Sequence, residues 1–388
     1  MNNTNQSGTR IRFLCVHQGA ELYGSDRSFL QAVQAFRAGW PQAEIHVVLA
    51  ADGPLLPLLA EVADSVTVRD LAVLRLAKPV STIFKSSIAL PWYLGVAMYD
   101  VMKADVVYIN TTVIADYILA ARIASSKAII HAREIPKVKA MPVIRRLICT
   151  SGAKVIFNSR ATANAFSLQD AQAHTVILNG VDAANDVTEL RLPQTFDVER
   201  PLRILMLGRI NDWKGQDLLI DAIGTLAPSD RARVRVRLIG STYRDVSEPI
   251  EALERKIKEY GLEKIISIEP FTPDTKSLFQ WSDICAVPSR LPEPFGRVAI
   301  EAMAEGRPVL AANHGGLTEI VEEGRSGWLT IPNDKASLAD AILSALNNPE
   351  LVAAQAKGAL TRFHDHFSSA KMQSRIQSTL REWVSALS

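Results

Sequence analysis

Short apolar runs rich in β-branched residues recur along this chain and alternate with amphipathic stretches at helical spacing. In the first half the runs are Ile11–Val16, Ile45–Leu49, Val106–Ile109, Ala128–His131, Val155–Phe157 and Val176–Leu178. In the second half they are Arg203–Leu207, Val234–Ile239, Ile265–Ile268, Ile284–Val287 and Val309–Ala311. Amphipathic stretches such as Arg27–Phe36 and Ala115–Ala124 lie between them. Most of these runs are continuously apolar, and such runs predict strands buried on both faces. The expected class is therefore α/β, with parallel sheets covered by helices. The polar, proline-containing segment Asp182–Pro201 has no periodicity and reads as a linker. A length of 388 residues suits two domains. The expected boundaries are 1–185 and 200–365, followed by a C-terminal helix, 366–388, able to pack back on the first domain. Two doubly wound domains joined in this way leave a cleft, with ligands at the carboxyl ends of the strands.

Composition excludes several classes. With 43 Lys and Arg against 41 Asp and Glu, the net charge of +2 lacks the basic excess of a nucleic-acid binder, so no nucleic-acid partner is expected. Cys15, Cys149 and Cys285 are too few and too widely spaced for a disulfide framework or a CxxC metal site. Two of them, Cys15 and Cys285, sit in apolar runs and read as reduced core residues of a cytoplasmic protein. The polar start, MNNTNQSGTR, predicts no signal peptide, and the apolar stretch Ser86–Met98 carries Pro91 and is too short to span a bilayer.

The loops that follow strands are where chemistry is expected. Gly208-Arg209-Ile210-Asn211-Asp212-Trp213-Lys214-Gly215 follows the first strand of the second domain and leads into a helix at Gln216. It is neither a P-loop nor a GxGxxG turn. Two cations beside a helix N-terminus suit an anionic group, and a turn with solvated charges is the equally weighted reading. After the strand Asp283–Val287 comes Pro288-Ser289-Arg290-Leu291-Pro292-Glu293-Pro294-Phe295-Gly296, then a helix, Arg297–Glu305, and a strand, Pro308–Ala312. Glu293 in the loop and Glu301 in the helix are eight positions apart, or about 12 Å along a helix axis. That spacing is too long for the paired carboxylates of an ordinary glycosidase and suits two ends of one elongated ligand. Carboxylates accept from vicinal hydroxyls, and amides at the helix start are available to a diphosphate.

Glu293 to Glu301 with Phe295-Gly296, Glu301-Ala302-Met303-Ala304-Glu305-Gly306-Arg307-Pro308-Val309 and Gly315-Gly316-Leu317-Thr318-Glu319-Ile320-Val321 resemble the retaining glycosyltransferases of family 4, which have the GT-B fold. Gly208-Arg209, Lys214-Gly215 and Asn179-Gly180-Val181-Asp182 extend the resemblance. In the first domain the family's double-glycine loop is replaced by Gly19-Ala20-Glu21-Leu22-Tyr23-Gly24-Ser25, with Gly24 the residue expected near the donor. The resemblance implies a sugar donor carried on UDP or GDP, no cofactor and no metal. It assigns Arg209 and Lys214 to the donor diphosphate, Glu301 to the ribose hydroxyls and Glu293 to the transferred sugar. Gly208 belongs to the same donor turn, and Phe295, Gly296 and Arg297 flank the sugar and phosphates. His131, in His131-Ala132-Arg133-Glu134, would face the donor sugar across the cleft, or else be a strand-end histidine bonded to a neighbouring loop. His364-Asp365-His366 reads as a solvated turn and not as a metal site.

The implied reaction is transfer of a hexose, with retention, to a saccharide or lipid-linked saccharide in cell-surface polysaccharide synthesis. A GT-B sugar-nucleotide epimerase and a noncatalytic sugar-nucleotide-binding protein are the competing expectations. Residues 1–195 hold 19 basic against 15 acidic residues, and six cations against Glu134 alone fall within 133–154. These are Arg133, Lys137, Lys139, Arg145, Arg146 and Lys154, with apolar residues interleaved. The segment reads either as a surface for anionic lipid on the inner face of the cytoplasmic membrane or as a packed helix with a solvated basic face. Leu71–Met98, with Arg75, Lys78 and Lys85, is a second candidate surface.

Overall fold

The computed structural model describes residues 10–74, 80–168, 172–182, 195–242 and 247–384. Most of the expected linker, 183–194, lies outside the described residues, as do Arg75, Lys78 and the side chain of Lys85. The chain forms two compact units, 1–179 with 370–388, and 180–369.

The first unit is built on seven strands: β1 (Arg12–His17), β2 (Glu44–Leu49), β3 (Ser65–Val68), β4 (Val106–Ile109), β5 (Ala128–Ala132), β6 (Lys154–Phe157) and β7 (His174–Val176). They form one parallel sheet in the order β3-β2-β1-β4-β5-β6-β7. Its helices are α1 (Gly24–Gly39), α2 (Leu55–Ala60), α3 (Val80–Lys103), α4 (Ala115–Ala120), α5 (Met141–Ser151) and α6 (Arg160–Phe166), with a 3-10 stretch, Ala121–Lys127, after α4. The sheet separates two apolar cores. Phe13, Phe29, Phe36 and Ile45 pack with Met372, Ile376 and Leu380 on one face. On the other, Leu14, Val16, Val107 and Ile130 pack under α3 to α5.

The second unit repeats the plan with β8 (Leu202–Leu207), β9 (Val234–Ile239), β10 (Ile266–Glu269), β11 (Ile284–Val287), β12 (Val309–Ala312) and β13 (Gly327–Thr330), all parallel in the order β10-β9-β8-β11-β12-β13. Around this sheet lie α7 (Gln216–Thr225), α8 (Pro228–Arg231), α9 (Glu248–Glu259), α10 (Thr275–Trp281), α11 (Arg297–Ala304), α12 (Leu317–Ile320), α13 (Lys335–Asn347) and α14 (Pro349–His366). The last helix, α15 (Ser369–Trp383), supplies its buried Met372, Ile376 and Leu380 to the first unit. Both sheets are Rossmann-like and reverse their strand order beside their first strand, so the architecture is GT-B.

Several expectations shift. The run Val176–Leu178 is placed two residues too late, because β7 ends at Val176. The edge strands β3 and β13 carry only four residues each and too little apolar sequence to stand out. His364 and His366 occupy the last turn of α14 instead of a turn between elements, and among the described residues no cluster of His, Cys, Asp or Glu could hold a metal. The basic segment 133–154 is a loop, a helix and a strand. Arg133 is only 7% exposed and is consumed by internal hydrogen bonds, while Lys154 lies on β6. The continuous amphipathic surface expected there is reduced to Lys137, Lys139, Arg145 and Arg146. Among the described residues no helix is long and apolar enough to cross a membrane.

Candidate active site

In each unit the strand order reverses next to its first strand, and the loops leaving the two strands at that point meet. In the second unit these strands are β8 and β11. The loop after β8 is folded by Asn211, whose side-chain oxygen accepts the N–H groups of Trp213 and Lys214 at 3.1 Å each. Gly215 then opens α7 with φ +85, where a Cβ would stand 2.4 Å from the carbonyl oxygen of Pro288. A residue with a side chain would hold the loops apart. Two further ties join them. The Arg290 N–H donates to the Trp213 carbonyl at 2.7 Å, and the Arg290 guanidinium forks onto both oxygens of Asp217, at 3.1 and 2.6 Å.

This stitching brings Lys214 and Glu293 into contact. Lys214 Nζ donates to Glu293 Oε1 at 2.7 Å, and Ser289 Oγ donates to the same oxygen at 2.5 Å. Burial alone would raise the Glu293 carboxyl. The Lys214 ammonium and the Ser289 hydroxyl outweigh it and hold the group below the usual carboxylate range, with His314 acting in the same sense. His314 in turn donates from Nε2 to the Ser289 carbonyl at 2.8 Å, fixing the loop that carries Glu293.

Gly296 caps α11 with φ +112, a left-handed conformation, and its missing side chain admits Leu317, whose Cδ2 lies 2.5 Å from where a Cβ would stand. Phe295 is buried, with its ring edge-on to Phe367 at 6.3 Å. Within α11, Arg297 Nε donates to Glu301 Oε1 at 2.8 Å, so the second carboxylate is held by a cation one turn earlier. Arg209 is half-buried in the turn after Gly208, and its carbonyl accepts from Gln216 Nε2 at 3.0 Å. The sequence pattern singled out Lys214, Glu293, Arg297 and Glu301 without pairing them. It missed Ser289, His314 and Asp217, for which spacing carried no signal. Asn211 could have been found as a turn-forming residue.

The first unit has a polar network at its own reversal point, between β1 and β4. His17 Nε2 meets Asp26 Oδ1 at 2.7 Å, and His17 Nδ1 meets Asn110 Nδ2 at 3.1 Å. Asn110 Oδ1 accepts from Arg133 Nε at 2.5 Å, and Arg133 Nη1 reaches Asn179 Oδ1 at 2.5 Å. A chain of hydrogen bonds thus links a buried carboxylate to a buried guanidinium. Asp26 also accepts the N–H groups of Glu21 and Tyr23 at 3.1 and 3.0 Å, fixing the loop that ends at Gly24, the first residue of α1.

His131 is fully buried near the end of β5. Tyr108 Oη, at 2.5 Å, and Arg133 Nη2, at 3.2 Å, both direct donors at its Nδ1. Nδ1 is therefore the acceptor and the proton sits on Nε2, which has no hydrogen-bond partner among the described residues. Burial, followed by the Arg133 charge, pushes the imidazole well below its usual range, so it is neutral.

Residues 189–362 match the family described as glycosyl transferases group 1. Among curated proteins, the mannosylfructose-phosphate synthase of Agrobacterium fabrum is 31% identical over 186 residues, covering 47% of this chain and 39% of that protein. A D-inositol 3-phosphate glycosyltransferase of a Nocardioides species is 36% identical over 168 residues, covering 40% and 36%. The chain thus spans under half the length of these curated relatives. Among solved structures, Anabaena HepE in complex with UDP is 27% identical, with a TM-score of 0.76 over 96% of this chain and 100% of that one. The same protein was also solved with UDP-glucose. By sequence over residues 189–362 and by fold throughout, the chain is similar to the group 1 glycosyl transferases of the GT-B class.

Proposed function

We propose that this protein is a retaining glycosyltransferase that moves a hexose from a nucleoside-diphosphate sugar to a saccharide or lipid-linked saccharide acceptor. The observation that carries the reading is the meeting of Lys214 and Glu293 where two loops are stitched together beside the start of α11. A cation and a carboxylate in one place provide for both ends of a sugar phosphate. The ammonium stabilises charge developing on the departing diphosphate, and the carboxylate accepts from sugar hydroxyls. In this reading Arg209 adds a second cation, so no metal is required, and Glu301 accepts from the ribose. The UDP and UDP-glucose bound to HepE support a uridine donor, with GDP as the other candidate.

Retention follows if the departing phosphate takes the acceptor's proton on the same face of the sugar, with no covalent enzyme intermediate. In this reading the enzyme works on surface polysaccharide at the inner face of the cytoplasmic membrane, where Lys137, Lys139, Arg145 and Arg146 attract anionic lipid. The test is incubation with UDP- and GDP-hexoses without acceptor. Slow release of nucleoside diphosphate from one of them, lost in Lys214→Ala, is the expected result. No release and no thermal stabilisation by any of them would overturn the assignment.

A further inference from the structure

The first unit holds a pocket of about 210 Å³ lined by none of the residues of the candidate active site, with Leu71, Trp92 and Tyr93 of the candidate surface Leu71–Met98 in its wall. Its wall includes Arg69 and Asp70, which follow β3, Asp116 and Tyr117 at the start of α4, and Trp92 and Tyr93 on α3. It therefore opens at the carboxyl ends of β3 and β4, the edge where sheets of this kind take ligands. The volume is below the roughly 300–1,000 Å³ of pockets that enclose drug-sized molecules, so the part of an occupant held inside is about one ring.

The chemistry of the wall narrows the class further. Arg69 contacts both Asp100 and Tyr117, and Tyr117 Oη donates to Asp100 at 2.6 Å, so the guanidinium charge is already answered. Asp116 is held by the N–H groups of Ala72 and Tyr117, at 3.1 and 3.0 Å. The exposed Asp70 carboxylate has no ion-pair partner among the described residues. Among the described residues the wall carries Asp70 and Asp116 against Arg69 alone, whose charge Asp100 already meets, an arrangement that does not favour phosphate. The Trp92 indole is 74% exposed, an apolar face left open to water in the same wall that carries the Asp70 carboxylate. An aromatic face and a carboxylate in one small pocket match a pyranose, whose C–H face packs on the ring while adjacent hydroxyls donate to the oxygens.

We propose that this pocket binds a neutral saccharide ring through Trp92 and Asp70. Its use as the acceptor subsite rests on the transferase reading above, whereas saccharide binding itself does not. The experiment is saturation-transfer NMR on the full chain with saturating UDP, using the methyl α-glycosides of glucose, galactose, mannose and N-acetylglucosamine as probes. Transfer to at least one probe is expected, with affinity falling at least tenfold in both Trp92→Ala and Asp70→Asn while calorimetric UDP binding is unchanged. Absence of transfer to all four probes, or transfer unaffected by both substitutions, overturns the proposal. So does a Trp92→Ala protein that loses vesicle binding but keeps saccharide transfer, since the indole would then serve a lipid surface. Saccharide transfer without UDP binding would remove the donor reading and leave the pocket standing.

Discussion

Lys214 Nζ and Glu293 Oε1 lie 2.7 Å apart although 79 positions separate the residues in sequence. Each partner neutralises the other at the carboxyl ends of β8 and β11. Removing the cation leaves a nearly buried carboxylate without its counter-charge. Lys214→Ala is therefore expected to destabilise by about 1–3 kcal/mol in chemical denaturation, and Lys214→Ala with Glu293→Gln by less than Lys214→Ala alone. Turnover of Lys214→Ala should fall at least a hundredfold, the scale of one oxyanion-stabilising group at about 3 kcal/mol. Near-normal turnover at saturating donor would remove Lys214 from the chemistry.

Gly215 couples backbone conformation to that pair. At φ +85, alanine costs about 1 kcal/mol, and its Cβ would also meet the Pro288 oxygen at 2.4 Å. Gly215→Ala should push the two loops apart and lower kcat/KM more than tenfold. The same substitution at Gly261, whose φ is also positive but where a Cβ meets nothing within 4 Å, should leave activity intact and so serves as the control.

The first unit should show an acid-side loss of stability near neutrality. His131 is neutral in the fold, while an unfolded imidazole takes up a proton near pH 6.5. The unfolded chain then binds more protons. Stability is at its full value above about pH 6.5 and falls as pH drops, by up to about 1.4 kcal/mol per pH unit. His46, half-buried and also depressed, adds with the same sign. Asp26 and Glu293 are carboxylates held below their usual range, so their contribution persists here and is lost only below about pH 4. Urea unfolding between pH 7 and 5 should show a shallower slope in His131→Gln. An unchanged slope would mean that His131 is not the group titrating.

Much of this architecture was readable from the runs themselves. Val106–Ile109 and Ile284–Val287 are found as written, because central strands of a parallel sheet are apolar on both faces, and Val234–Ile239 is found although Arg235 and Arg237 leave one of its faces half-buried. Ser65–Val68 was not readable, since an edge strand of half-exposed residues lacks that signature. At the site, residue types pointed to Lys214 and Glu293, yet nothing local encodes their pairing. That contact exists because β8 and β11 are neighbours, a property of strand order. Arg133 illustrates the opposite failure. Counted as surface charge from composition, it is buried because Asn110, Asn179 and His131 supply its partners from distant positions.

Four cations remain to test a surface role. Lys137 and Lys139 flank Val138, which is 89% exposed, and Arg145 and Arg146 follow Val143, which is 62% exposed. The full chain should co-sediment with phosphatidylglycerol vesicles at low salt and be released at high salt. Replacing all four cations with glutamine should weaken binding by about 4 kcal/mol, at roughly 1 kcal/mol each. Salt-insensitive binding would point away from these residues.

Leu380 ties the C-terminal helix to the first unit's core. It is fully buried among Phe13, Phe36 and Ile376, while Gln377 Nε2 donates to the Ala35 carbonyl at 2.8 Å. Leu380→Ala should cost about 2–5 kcal/mol. Hydrogen exchange should accelerate in β1 and β2 and stay unchanged in β8 and β9. Faster exchange confined to the second unit would contradict this placement.

The same helix inverts the order in which the chain can mature. During synthesis β1 and α1 leave the ribosome well before α15, with one apolar face of their sheet incomplete until Met372, Ile376 and Leu380 are made. The second unit is continuous from 180 to 369 and has its whole core before α15 emerges. The half that is translated first is therefore completed last, and it is the nascent half with most need of a chaperone's cover.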